Sequence, residues 1–164
     1  GGGRGGGGED VELWDFERLA RTPLLAAAFE DYTRKALCHE SVLFLIEVSR
    51  YQNGRYSDPA DEAEQSQYQA LCRITDLFIR PGAREEVNIS GADRKRLLDW
   101  ADKGDAWFSA EDGEERRLVF GKSYMEVKIM LEDNLLRRFL QTEEFKSVRA
   151  LRRNVTTMLV SPPK

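Results

Sequence analysis

Two stretches of the chain set reactive residue types close together, and each can be held against the geometry its chemistry demands. Cys38, His39 and Glu40 stand side by side. A nucleophile and its base must face one another within hydrogen-bond reach, whereas adjacent residues on a helix or turn point in different directions, so this triplet makes no activated thiol. His39 is the sole histidine, which leaves a two-histidine zinc site without its second ligand. Gly121-Lys122-Ser123 ends like a phosphate-cradling loop, but that loop needs a glycine five residues before the Gly-Lys pair, and Arg116 stands there.

The remaining candidates are weaker still. Acid–base work by two carboxylates needs a pocket that separates their pKa values, and the acids here read as solvated surface. Asn88-Ile89-Ser90 and Asn154-Val155-Thr156 match the glycosylation sequon, with no secretory signal to bring it into play. Cys38 and Cys72 are too few for a disulfide framework and are expected as buried free thiols. A net charge of −4 argues against nucleic acid as a partner. No apolar run approaches the roughly 20 residues of a membrane span, so a cytoplasmic protein is expected.

What remains is an organisation of helices. At 164 residues the chain fits one domain, preceded by a flexible glycine-rich arm over 1–10 and followed by a basic tail over 151–164. Thr22-Pro23 is a helix start with proline at the first position. Leu25, Phe29, Tyr32 and Ala36 follow at helical period. "SVLFLIEVSRYQ" (41–52) is apolar on nearly every side in its first half, which places it centrally, and Asn53-Gly54 ends it.

Asp58-Pro59 reads as a second proline-type start, with Tyr68, Leu71, Ile74, Thr75 and Phe78 carrying a stripe to the stop at Pro81-Gly82. Ser90-x-x-Asp93 resembles a capping box that opens a short helix. Residues 102–117 read as a solvated excursion. Phe120 to Thr142 is a longer helix with Tyr124, Val127, Leu131 and Leu135 on its core face. With no alternating segment long enough for a sheet, the expected fold class is all-α, in one domain spanning 11–150.

Three blocks in order carry a family resemblance: "FERLARTPLLAAAFEDYTRKALCHESVLFLIEVSRYQ", "FIRPGAREEVNIS" and "MLEDNLLRRFLQTEEFKS". Together they resemble the domain of regulators of G-protein signalling (RGS), and "LCHESVLFLIEV" and "EVNIS" are most like its plant-like branch. The resemblance runs from Trp14 to Val148, interrupted by acidic segments near 54–67 and 101–117. It implies a bundle of about nine helices that binds the transition-state form of a Gα subunit and accelerates GTP hydrolysis. A docking module without that activity is the alternative.

The resemblance also implies roles for single residues. Asn88 would reach into the Gα active-site region from its "EVN" loop, pinned by Val87 and Ile89, with Ser90 beside it. Glu40 and Ser41 would form a second contact, although many relatives carry asparagine in place of Ser41. Met130, Asn134 and Arg138, spaced i, i+4, i+8, with Leu135 next to them, would form a third, where aspartate is common in place of Asn134. No cofactor is implied, since GTP and Mg²⁺ belong to the partner, and the domain is expected as a monomer. Lys146, Arg149, Arg152 and Arg153 mark a basic amphipathic segment that could face an anionic membrane at the inner face of the plasma membrane.

Overall fold

The computed structural model describes residues 13–160, with side chains through Asn154; the arm expected over 1–10 and Lys164 lie outside the described residues. The all-α expectation holds. α1 (Phe16–Ala20) is capped by Asp15, whose carboxylate accepts from the Arg18 backbone N–H at 2.8 Å. α2 (Pro23–Lys35) does begin at proline, but the Thr22 hydroxyl donates back to the Arg18 carbonyl at 3.1 Å instead of capping the helix. α3 (His39–Gln52) buries Val42, Phe44, Leu45, Val48 and Tyr51 and runs through the middle of the bundle.

The start expected at Asp58-Pro59 is corrected by the structure. Asp58 spends its carboxylate on the Ala60 N–H at 2.9 Å and its carbonyl on Asp61, closing a local turn. The helix opens later, where Ser66 and Gln69 form a full capping box that satisfies two otherwise orphaned donors. α4 is α-helical over Gln67–Ile74 and continues as a π-helix over Thr75–Ile79. α5 follows at Gly91–Asp102.

The excursion expected over 102–117 is likewise corrected. It contains α6 (Asp105–Ala110) and α7 (Gly113–Arg117), and Phe108 within it is buried. Its ring packs on those of Tyr68 and Trp100, while Trp107 meets Trp100 edge-on. The density of acids hid two aromatic anchors whose apolar area outweighs the local polarity.

α8 is α-helical over Gly121–Leu131, π-helical over Glu132–Leu136 and α-helical again over Arg137–Phe139. α9 (Glu143–Val160) crosses position 150 without a break. One contiguous core joins these elements. At its centre Phe44 meets Phe78 and Phe120 edge-on, and Phe139 meets Phe29 and Phe145.

Packing also perturbs three phenols. Burial raises Tyr51 and Tyr124, and contact with the Cys72 thiol, helped by burial, pushes Tyr68 up to about 12. A phenol whose pKa is higher folded than unfolded stabilises the fold fully below its ordinary pKa of about 10, and that contribution is lost as pH climbs toward the folded value. Urea-denaturation midpoints measured across this window are therefore expected to fall from about pH 10 upward, and Tyr68→Phe is expected to flatten the decline.

Candidate functional site

Three separate stretches converge at one end of the bundle. A depression of about 220 Å³ is lined by Cys38, Glu40 and Ser41 from the start of α3, by Asn88 from the loop before α5, and by Val127, Met130, Leu131, Asn134 and Leu135 from α8. A shallower hollow of about 420 Å³ adjoins it, lined by Asn88, Ile89, Ser90, Glu126, Ile129 and Met130. Asn88 and Met130 belong to both.

The Asn88 loop is held from several directions. Glu85 and Val87 donate backbone hydrogen bonds to Leu77 and Phe78 at 3.0 and 2.9 Å. The Arg94 guanidinium donates to the Val87 carbonyl at 2.9 Å and to the Ile79 carbonyl, and pairs with Glu86 at 3.3 Å. Val87 is 1% exposed and Ile89 8%, whereas Asn88 between them is exposed. Two β-branched anchors on alternate positions thus turn the polar side chain outward.

Ser90 and Asp93 do not form the reciprocal box their spacing predicts. Ser90 Oγ accepts from the Asp93 N–H at 3.3 Å, but the Ser90 N–H donates to Glu126 Oε2 on α8 at 2.9 Å. The Asp93 carboxylate is fully buried instead, accepting from the Arg96 guanidinium at 2.8 and 3.0 Å and from the Ser123 hydroxyl. Ser123 therefore bonds across to α5, where a bond to its own preceding turn is the local expectation. Ser123→Ala leaves a buried carboxylate one donor short, and urea denaturation is expected to show a loss of about 1–3 kcal/mol.

At the start of α3, Glu40 lies in the first turn, where its charge favours the helix dipole. Ser41 sits within the helix and Cys38 occupies the cap position, so Ser41 does not cap. His39 Nε2 lies 3.1 Å from Glu30 Oε1, tying α3 to α2. Both cysteines are partly accessible where buried thiols were expected, Cys38 because it lines the depression. Burial and then Glu40 push its thiol above the ordinary value, which keeps it protonated and unreactive at neutral pH.

Along α8 the π-helical turn changes the register. The core positions pass from Val127 and Leu131 to Leu136 and Phe139, which are 2% and 0% exposed, and Leu135 is only partly buried. A π turn takes one more residue than an α turn. The extra residue shifts the core role from Leu135 to Leu136 and leaves Asn134 and Leu135 facing the depression with Met130. Arg138, expected on the same stripe, is exposed but does not line the depression.

Sequence reasoning missed Cys38, Val127 and Leu131 in the lining, and Glu126 and Ile129 beside it. It also missed Leu37, which is 90% exposed and adopts φ +58° where α2 gives way to the Cys38 segment. A non-glycine residue in that region carries strain, and no sequence signal marks it. Among the described residues, no group of three or more His, Cys, Asp or Glu is placed to hold a metal ion.

Comparison with known proteins bears on this arrangement. A family model described as "Regulator of G protein signaling domain" matches residues 15–148. A Caenorhabditis elegans protein described as "Regulator of G-protein signaling rgs-6" is 27% identical over 93 residues, which amount to 57% of this chain and 12% of that protein. The chain therefore corresponds to a small part of that longer relative.

Proposed function

This chain belongs to the family of regulators of G-protein signalling, and from that premise we propose that it binds the transition-state form of a heterotrimeric Gα subunit and accelerates its GTP hydrolysis. The observation that carries the reading is the convergence of Glu40, Ser41, Asn88, Met130, Asn134 and Leu135 on one depression. These residues come from three separate parts of the chain.

In such a reaction Gα holds GTP and Mg²⁺, supplies an arginine in cis and orients the attacking water with its own glutamine. The regulator adds no acid, base or metal. Its work is to hold mobile switch segments in the hydrolysis-ready arrangement, so that its binding energy falls on the transition state. The Asn88 amide can donate and accept at once and would steady the glutamine and the neighbouring switch backbone. Fixing its loop in advance means that little ordering cost remains at docking.

The rest of the face would supply contact. Met130 and Ile129 offer exposed apolar surface, Glu40 a charge at one edge and Ser90 a hydroxyl beside Asn88. Arg138 would act outside the depression, as a cation on the flank. Such a regulator works where Gα works, at the cytoplasmic side of the membrane; no helix among the described residues is long and apolar enough to cross it.

The test is single-turnover GTP hydrolysis by a panel of Gα subunits with and without the protein. Acceleration of at least one supports the reading. Binding of a Gα subunit that carries a planar mimic of the transition state, without any acceleration, would assign the chain to docking alone.

A further inference from the structure

We propose that Glu126 is a positioning residue for Asn88: its carboxylate holds the Asn88 loop in register with the residues that α8 turns toward the depression. The proposal rests on the GTPase-activating reading above.

Ser90 is the N-cap of α5, and its own backbone N–H is the donor that a capping box satisfies from the third residue of the helix. Asp93 stands at that position but is engaged in the core, by Arg96 and the Ser123 hydroxyl. The Ser90 N–H donates instead to Glu126 Oε2 at 2.9 Å. A bond that local spacing places inside α5 has become a tie between the loop and α8. With an ionised acceptor such a bond is stronger than one to a neutral group.

Its place in the loop gives the tie its consequence. Glu85 and Val87 bond to Leu77 and Phe78, and Arg94 bonds to Val87, so the stretch before Asn88 is referred to α4 and α5. Those bonds do not fix it against α8, which supplies Met130, Asn134 and Leu135 to the depression. Ser90 follows Asn88 by two residues, and Glu126 precedes Met130 by about one helical turn. All four line the same hollow. The Ser90–Glu126 bond therefore sets where Asn88 stands relative to the contacts on α8. A misplacement of about 1 Å in a group that acts on a transition state costs on the order of 10²-fold in rate.

A second bond joins the same two helices and separates the duties. Ser123 and Glu126 are three residues apart on α8, as Ser90 and Asp93 are at the start of α5, so the two bonds lie about one turn apart. The inner one joins Asp93 and Ser123, 1% and 0% exposed, and its loss falls on stability. The outer one lies at the rim of the site, and its loss falls on the placement of Asn88.

The experiment uses the full chain in single-turnover GTP hydrolysis at saturating concentration, with a Gα subunit that the unaltered chain accelerates. Glu126→Ala is expected to lower the acceleration roughly tenfold, and Glu126→Gln, which keeps an acceptor, to restore most of it. In the Asn88→Ala background, Glu126→Ala is expected to cost less than about twofold, because its effect passes through Asn88. Its melting temperature is expected to fall by only roughly 2–4 °C, while Ser123→Ala, at least as destabilised, keeps the acceleration at temperatures well below its melt. In amide hydrogen exchange without Gα, Glu126→Ala is expected to expose the Ser90 amide and leave that of Val87 protected. Full acceleration by Glu126→Ala, an equal loss in Ser123→Ala, a full further loss in the Asn88→Ala background, or unchanged Ser90 protection would each overturn the proposal and leave GTPase activation standing. No acceleration of any Gα by the unaltered chain would remove both.

Discussion

Asn88→Ala is expected to remove most of the acceleration of Gα GTP hydrolysis while leaving the melting temperature within experimental error. The side chain is exposed and its loop is held by others: Val87 and Ile89 are buried, and Arg94 binds the carbonyls of Val87 and Ile79. Truncating it at Cβ therefore removes no core contact, and substitutions of this kind usually stay within about 0.5 kcal/mol. Removing one preorganised hydrogen-bonding group from a transition state costs on the order of 10²-fold in rate. Single-turnover kinetics beside a thermal melt separate the two effects. Unchanged acceleration would take Asn88 out of the interface, and a parallel fall in stability would give it a structural duty.

Phe44→Ala is expected to act in the opposite way, on stability first. Phe44 is 0% exposed at the middle of α3, and its ring meets those of Phe78 and Phe120 at 5.5 and 6.4 Å between centroids. Emptying that position removes contacts to α4 and α8 together and leaves a cavity that three packed elements cannot readily close, at a cost of about 3–5 kcal/mol. For a chain of this size each kcal/mol shifts the melting temperature by roughly 2–4 °C, so circular dichroism should show a fall of roughly 6–20 °C. A loss below about 1 kcal/mol would mean that the aromatic cluster repacks around the gap.

The contrast between these two positions follows from how the chain is written. Apolar residues at helical spacing announce α2 and the first part of α8 without any knowledge of what they pack against, because a helix buries one face whatever its partner, and the all-round apolar first half of 41–52 announces a central α3. The same local logic fails where a polar group is satisfied from far away. Ser90 looks as though Asp93 should return its hydrogen bond, but Glu126, 36 residues on, takes it. Asp93 is in turn absorbed by Ser123, 30 residues on. Residues 102–117 looked solvated because charge is counted one residue at a time, while the burial of Phe108 depends on Tyr68 and Trp100.

By itself, then, the sequence determined that the chain is all-α, where α2 and α5 begin and where α3 ends, that no metal or nucleophile chemistry is spelled out by local spacing, and, through three ordered blocks, which family it belongs to. Only the tertiary structure decided that Glu40, Asn88 and Asn134 meet around one depression, that the π turn in α8 moves Leu136 into the core and frees Leu135, and that Arg138 stands apart from the residues it was grouped with. Periodicity reports the solvent-facing and core-facing sides of a single element. Register across elements is set by which side chains fill the space between them, and that is known only once they are packed.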